Sequence, residues 1–305
     1  MAGTKEKNFV SAVVYLRDDE AGAVDFFQRL NRCLAEHFQY YELIAVNDGC
    51  TDNTTGALKA WAVEALAAPL TILNMSLRQG VEPAMNAGLD AAIGDFVFEF
   101  DSIRSSFDID LSWQAYQKAL TGFDVVNVCP TRMHCTSRMF YTVFNRFSNS
   151  LYPLQTDAFR LVSRRAINRV HAISEDLAYR KAAYAASGLA CATIFYEGKS
   201  PVDEDARLDK AADSLALYTD AGYKISLCIS VAMLLLTMIA LIYTVTVWLT
   251  GHPVQGWTTT MLVLSAGLSG IFFILTVAVK YLNLLVRLNF KKMNYLIEGI
   301  EKLQK

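Results

Sequence analysis

Asp101 closes the run Phe96, Val97, Phe98, Glu99 and Phe100 in the stretch GDFVFEFDSI, which puts a carboxylate where a buried strand leaves the core. In open α/β sheets ligands bind outside the carboxyl ends of the strands, so this acid stands where a substrate would lie. Glu99 is two residues back on the same strand face and is costly to bury unpaired, so it needs a partner or a place in a cleft wall. Arg104 brings a fixed positive charge just beyond, and Asp108 and Asp110 follow. Asp48 stands at another strand end. The Gly49 after it lets backbone approach closely while the carboxylate turns toward a donor-rich edge. Arg78 offers a forked, permanently charged donor suited to a diphosphate. Asp52 and Asn53 fit a different task, capping the helix that follows them.

The elements that must position these residues alternate. Strand-like runs at 9–16, 42–46, 70–75, 94–100 and 124–129 are separated by helix-period segments at 21–36, 55–67, 82–93 and 111–120. Strand alternating with helix predicts a mostly parallel sheet with helices on its faces. Residues 130–153 read as a mobile segment. Asn86 and Gly88, on the third helix, read as residues that fix helix against sheet.

Composition adds two limits. A formal net charge of −2 argues against a nucleic-acid binder, which carries a basic stripe or patch. Six cysteines without a CxxC pair, and without ligand-like spacing to the four histidines, point to neither a zinc site nor a disulfide framework. A reducing, cytosolic setting is expected for residues 1–205, and the first residues contain no apolar segment of signal-peptide length.

Apolar residues make up 53% of the chain and concentrate in its last third. Residues 225–249 and 258–280 form two long apolar runs, each enough at about 1.5 Å per residue to cross a hydrocarbon core. Lys224 precedes the first, and Lys280, Arg287, Lys291 and Lys292 close and follow the second, so both ends of the hairpin are expected on the cytoplasmic side. Apolar residues at helical spacing in 206–224 and 281–305 predict a juxtamembrane amphipathic helix and an amphipathic C-terminal helix.

Taken in order, these parts resemble the family 2 glycosyltransferases, and within them the polyprenyl-phosphate glycosyltransferases with two C-terminal spans. The resemblance covers nearly the whole chain. It rests on NDGCTDNT at 47–54, on Arg78, Gly80, Asn86, Gly88, Gly94 and Asp95 in RQGVEPAMNAGLDAAIGD, and on Gly256-Trp257-Thr258. It implies a glycosyltransferase A-type, Rossmann-like α/β domain with a C-terminal two-helix membrane hairpin, set in an inner membrane with both termini cytoplasmic. It also implies an inverting transfer from a nucleotide sugar, UDP-linked, to a polyprenyl phosphate, by a protein that forms homo-oligomers. Gly267 and Gly270 in the second run would permit close helix contact.

By this resemblance Asp19, Asp48, Arg78 and Asp101 bind the nucleotide sugar, and Arg132, Arg160 and Arg164 bind the acceptor phosphate. Asp101, Arg104 and Asp157 are the catalytic candidates. The chain departs from the family in three places. Tyr15-Leu16-Arg17-Asp18-Asp19 replaces a Pro-x-Tyr-Asn-Glu turn, so that Arg17 takes the place of the stacking aromatic. Asp101-Ser102-Ile103 replaces Asp-x-Asp, so the second metal-holding acid is missing. In Asp157-Ala158-Phe159-Arg160-Leu161 the acid is displaced by one residue.

Three readings of the second departure stay open. Asp101 holds Mg2+ or Mn2+ together with Glu99, Asp108 or Asp110; or Arg104 supplies the charge without metal; or the site no longer transfers sugar. A displaced base does not stop the reaction in itself, because a phosphomonoester with a second pKa near 6 is already ionised at neutral pH. The alternative function is a catalytically silent relative that binds a nucleotide sugar or lipid phosphate within a glycan-assembly complex.

Overall fold

Strand β1 (Val10–Leu16) is buried along its whole length, and its side chains divide between two cores. Val10, Ala12, Val14 and Leu16 join one, while Val13 and Tyr15 join the other. Period-two alternation of this kind, apolar in both directions, is what a central parallel strand needs. The computed structural model describes residues 5–65, 69–104, 107–132, 135–147, 152–173, 179–199, 221–251, 256–289 and 295–303. These fall into two units, Met1–Arg207 with Lys291–Lys305, and Leu208–Phe290.

In the first unit β1 is followed by α1 (Glu20–His37), β2 (Tyr41–Asn47), α2 (Thr54–Ala65), β3 (Leu70–Met75), α3 (Val81–Ala91), β4 (Phe96–Phe100) and α4 (Leu111–Leu120). Then come β5 (Val125–Arg132), α5 (Cys135–Phe147), β6 (Phe159–Ser163), α6 (Arg164–Ile173), α7 (Arg180–Ala186) and β7 (Cys191–Lys199). The second unit holds α8 (Ala221–Thr250) and α9 (Trp257–Asn289), after which β8 (Ile297–Leu303) rejoins the first. The eight strands form one sheet in the order β7-β5-β6-β4-β1-β2-β3-β8. Strands β1 to β4 are mutually parallel where they pair, β6 runs antiparallel to both β4 and β5, and β8 runs antiparallel to β3.

One consequence of these directions matters for the site. The carboxyl ends of β3, β4 and β5 and the amino ends of β6 and β8 all lie along the same edge of the sheet. The core beneath that edge is aromatic: Phe100 contacts Phe26, Phe107 and Phe159, with ring centroids 4.8–6.5 Å apart across the cluster. Each such ring, fully buried, contributes about 1.5–3 kcal/mol.

The order and extents of β1 to α4 agree with the sequence expectation to within two residues at most ends. Three differences stand out. The segment 130–153 contains α5, whose Phe144 is fully buried and whose Asn145 exchanges hydrogen bonds with the Leu154 main chain, so part of it is fixed. The helix expected over 281–305 stops at Asn289, and Ile297–Leu303 is a strand. Its apolar residues Ile297, Ile300 and Leu303 have helix-like spacing, but the open edge of β3 offers a ladder of backbone partners that outweighs local preference. The helix expected over 206–224 lies outside the described residues through 220.

In the second unit α8 and α9 lie against each other, with Ser230 Oγ donating to the Phe272 carbonyl at 3.4 Å. The segments Leu227–Thr250 and Trp257–Leu282 have mean hydropathy of 2.4 and are long and apolar enough to cross a membrane. Gly267 and Gly270 have no neighbouring atom within 4 Å of where a Cβ would stand.

Gly88 shows why α3 needs its small residues. A Cβ there would come within 2.4 Å of Val13 Cγ1 and 2.8 Å of Val46 Cγ2, so the helix touches β1 and β2 through glycine. Gly88→Ala is expected to cost about 1–3 kcal/mol by overpacking, read as a lower thermal midpoint in detergent; an unchanged midpoint would show that α3 moves away freely.

Candidate active site

Beyond the end of β4 the chain gathers seven ionised side chains. Glu99 is fully buried on β4, directly opposite Arg160 on the antiparallel strand β6. Arg160 reaches three acids: Nε donates to Asp157 at 3.0 Å, Nη1 to Glu99 at 3.3 Å and Nη2 to Asp101 at 2.5 Å. Arg180, the first residue of α7, does the same from the other side. Its Nε donates to Glu82 at 2.8 Å, Nη1 to Glu99 at 2.5 Å and Nη2 to Asp101 at 2.6 Å. The Tyr184 hydroxyl donates to the remaining Glu99 oxygen at 2.6 Å, and Lys181 pairs with Asp157.

Four acids thus face three bases, and both guanidiniums are sealed, with side chains 0–1% exposed. Asp101 alone shows a substantial face toward the strand-end edge, at 28%. Burial works against its ionisation, but Arg160 and Arg180 overcome that and hold its carboxyl well below the usual carboxylate range. In Glu99 burial prevails and the pKa is raised, although Arg180 and Arg160 oppose it.

A divalent cation at the end of β4 would need open carboxylate oxygens. Glu99 does not offer them, and Asp101 offers only the lone pairs its guanidinium partners leave. Each Asp101 oxygen already accepts from a guanidinium, Glu99 accepts from two guanidiniums and a phenol, and the position of a second acid is held by Ile103, buried and apolar. In this arrangement the expected Mg2+ or Mn2+ site of Asp101 and Glu99 is left with Asp101 as its one accessible acid, without a second. Asp108 and Asp110 do not repair it: Asp108 accepts the Asp110 N–H at the start of α4. Elsewhere, Asp18, Cys50 and Asp52 bring ligand atoms within 4.8 Å of one another. Oxygens of Asp18 and Asp52 are engaged by donors of Thr51, Thr54 and Glu20.

On the other flank of the edge, the first and second strand ends are laced together. Asp48 is fully buried, and its oxygens accept from the Tyr15 hydroxyl at 2.9 Å and from the main-chain N–H groups of Gln79 and Gly80 at 2.7 and 2.9 Å. Its carboxylate is a clamp on the loop after β3, and so has no face left for a base edge in this arrangement. Gly49, at φ +66°, lets the Arg78 backbone lie against it: a Cβ would stand 3.3 Å from Arg78 N.

Arg78 itself is exposed at this edge. Asp19 accepts from Arg17 N–H and from Arg104 Nε at 2.6 Å, while Arg104 Nη2 donates to the carbonyls of Arg17 and Asp18. Arg104 thereby joins the end of β4 to the turn after β1. Asp18, Asp19, Ala21, Gly22, Ile103 and Arg104 line an open cleft of about 300 Å³.

The three arginines expected to meet the acceptor phosphate part company. Arg132 is exposed at the end of β5, on the same edge as Asp101. Arg160 is sealed inside the ion network. Arg164 lies at the opposite edge, where it donates to the carbonyls of Gly94 at 3.0 Å and Ala92 at 2.7 Å before β4 begins. It closes the end of α3 and stands roughly 20 Å of strand away from Asp101. Asp157 does reach the site, but both its oxygens are held by Arg160 and Lys181. Arg180, Lys181, Glu82 and Tyr184 had no local signal in the sequence beyond the requirement that a buried Glu99 find a partner.

A family model described as glycosyl transferase family 2 matches residues 26–102, from α1 to just past Asp101. An uncharacterized glycosyltransferase of Synechocystis is 28% identical over 185 residues, 58% of this chain and 57% of that protein. A prophage bactoprenol glucosyl transferase homolog of Escherichia coli is 29% identical over 175 residues, 54% of this chain and 56% of that protein. The chain thus spans little more than half the length of these curated relatives. Among solved structures, a mannosyltransferase from Pyrobaculum calidifontis in complex with GDP-Man and Mn2+ superposes with a TM-score of 0.53 at 16% identity, covering 94% of this chain and 89% of that one. At that identity the likeness is one of fold, the GT-A type.

Two measurements test the ion network. Arg180→Met leaves Glu99 buried beside one fewer positive charge and is expected to cost about 3–5 kcal/mol, and adding Glu99→Gln should recover much of the loss. Additive losses in thermal midpoint would contradict the pairing. Because the Asp101 carboxyl is held low, its contribution is present above its unfolded value of about 3.9 and is lost as pH falls from there toward the folded value. The gap in thermal midpoint between wild type and Asp101→Asn is therefore expected to be widest above about pH 5 and to narrow below about pH 4. A gap that grows with acid would reverse the assignment.

Proposed function

We propose, from the premise that the chain carries a glycosyl transferase family 2 domain over residues 26–102, that it moves a sugar from a nucleotide diphosphate sugar, UDP-linked, to a polyprenyl phosphate. What carries this reading is the presence in one chain of that domain and of two helices long and apolar enough to cross a membrane. A lipid acceptor presents its phosphate at the membrane interface, and the transferase has to meet it there. The E. coli relative named as a bactoprenol glucosyl transferase homolog supports an acceptor of the same class. In this reading α8 and α9 form an inner-membrane hairpin, with both termini and the sheet unit on the cytoplasmic side and homo-oligomers formed in the membrane.

The chemistry follows from charge. One anionic oxygen of the lipid phosphate attacks the anomeric carbon while the bond from that carbon to the diphosphate oxygen breaks, which inverts the centre and releases the nucleoside diphosphate. The acceptor is already ionised, so no proton need be removed by Asp157. Arg78 and Arg104 lie at the strand-end edge where they can meet the charge of the departing diphosphate, and Arg132 is the exposed arginine for the acceptor. Asp101, held between two guanidiniums, serves as a wall of the sugar site.

One observation favours a second reading, a silent relative that binds a nucleotide sugar without turnover. The acids best placed for catalysis, Asp101 and Asp157, are both spent on internal ion pairs.

Purified full-length protein, given radiolabelled UDP- and GDP-sugars and a polyprenyl phosphate, is expected to form lipid-linked sugar in EDTA as well as in Mg2+ or Mn2+. Arg78→Ala and Arg104→Ala should each lower turnover about 10²-fold. Nucleotide binding without product under every condition selects the silent reading, and metal-free turnover untouched by Arg104→Ala removes that residue from the step.

A further inference from the structure

The loop that carries Arg78 is held from two directions. From below, the buried Asp48 carboxylate takes the N–H groups of Gln79 and Gly80. From the side, Gln79 grips the main chain of Leu296: its Nε2 donates to the Leu296 carbonyl at 2.7 Å, and the Leu296 N–H donates back to Oε1 at 2.9 Å. The N–H and Oγ of Ser76 donate to the same carbonyl, at 3.1 and 3.3 Å. Leu296 follows the second apolar helix in sequence and leads directly into β8.

β8 is itself anchored beyond its ladder with β3. Glu301 accepts from Lys59 Nζ at 2.8 Å and from Asn74 Nδ2 at 2.9 Å. The Asn74 side-chain oxygen accepts from Asn47 Nδ2, and the Asn47 oxygen accepts the N–H of Cys50. Tyr295 donates from its hydroxyl to Asp90 on α3 at 2.5 Å. A polar line therefore runs across β2, β3 and β8 from the Asp48 turn to the far edge of the sheet, and the loop with Arg78 is caught between its ends.

We infer that Gln79 is a positioning residue for the donor diphosphate: through its two-way bond to Leu296, the segment after the second apolar helix sets the loop 76–80 and aims Arg78. The inference rests on the proposed reading that Arg78 meets a nucleotide diphosphate. A loop fixed before the ligand arrives loses less freedom on binding, so its anchor acts on affinity for the diphosphate without touching it. Gln79 is only partly buried, and its removal leaves the Ser76 bonds and the β8 ladder in place, so the fold does not depend on it.

The test uses the full chain in detergent and titrates UDP and GDP by calorimetry, taking the tighter as probe, with the parent nucleoside followed through its own NMR signals. Gln79→Ala is expected to weaken the probe about tenfold, with Gln79→Glu, which keeps only the acceptor, in between. Nucleoside binding and the thermal midpoint should stay at their wild-type values. Arg78→Ala should weaken the probe at least as much as Gln79→Ala. If Arg78→Ala lowers affinity and Gln79→Ala does not, or if Gln79→Ala lowers nucleoside and diphosphate affinity equally, the positioning role is overturned alone. If neither diphosphate binds, or Arg78→Ala binds like wild type, the donor-site reading fails and takes the inference with it.

Discussion

A carboxylate on an interior strand has to be met by positive charge, and Glu99 meets two guanidiniums and a phenol. Much of the architecture at the carboxyl edge follows from that requirement. Arg160 comes from the antiparallel strand β6, Arg180 from the first position of α7, and Arg180 carries on to Glu82 in the first turn of α3. One buried charge thus ties four elements together. Once the two arginines are inside, their remaining donors need acids, and Asp101 and Asp157 supply them. Every guanidinium nitrogen of the two arginines donates to a carboxylate, and Asp101 is the acid of the network left most exposed, at 28%.

This arrangement moves the positive side of the site. With Arg160 and Arg180 neutralised internally, the proposed function assigns a phosphate-bearing ligand at this edge to Arg78, Arg104 and Arg132, which stand on three different strand-end segments. Arg104 is turned toward the β1 side by its bond to Asp19, and Arg78 is presented by the clamp of Asp48 on the loop behind it. Asp48, expected at the nucleotide sugar, is in this arrangement bonded to the backbone of that loop through the N–H groups of Gln79 and Gly80.

Strand alternation made the first half of the sheet legible, because β1 to β4 are short, apolar on both faces and separated by helices of ordinary length. β6 and β8 were not legible for opposite reasons. FRLVS is brief and contains an arginine that only a cross-strand acid explains, whereas IEGIEKL has spacing that suits a helix as well as an edge strand and is decided by the open side of β3. Among site residues, Asp101, Arg104, Asp48 and Arg78 were found by their places at strand ends. Arg180 was invisible, since its partners lie 79 to 98 residues away in the chain and nothing near it in sequence hints at them. Arg164 was misplaced because β6 runs backwards, which carries the residue after it to the far edge.

The late position of β8 has a temporal consequence. Asn74 meets Glu301 across 227 residues, the span that includes both apolar helices. A chain made from its amino end therefore exposes the flank of β3, with the arginine loop held by Asp48 alone, until the two helices have been synthesised. Completion of the sheet and fixing of that loop wait until residues 296–303 have been made, and a ribosome-bound intermediate short of them leaves the flank of β3 open.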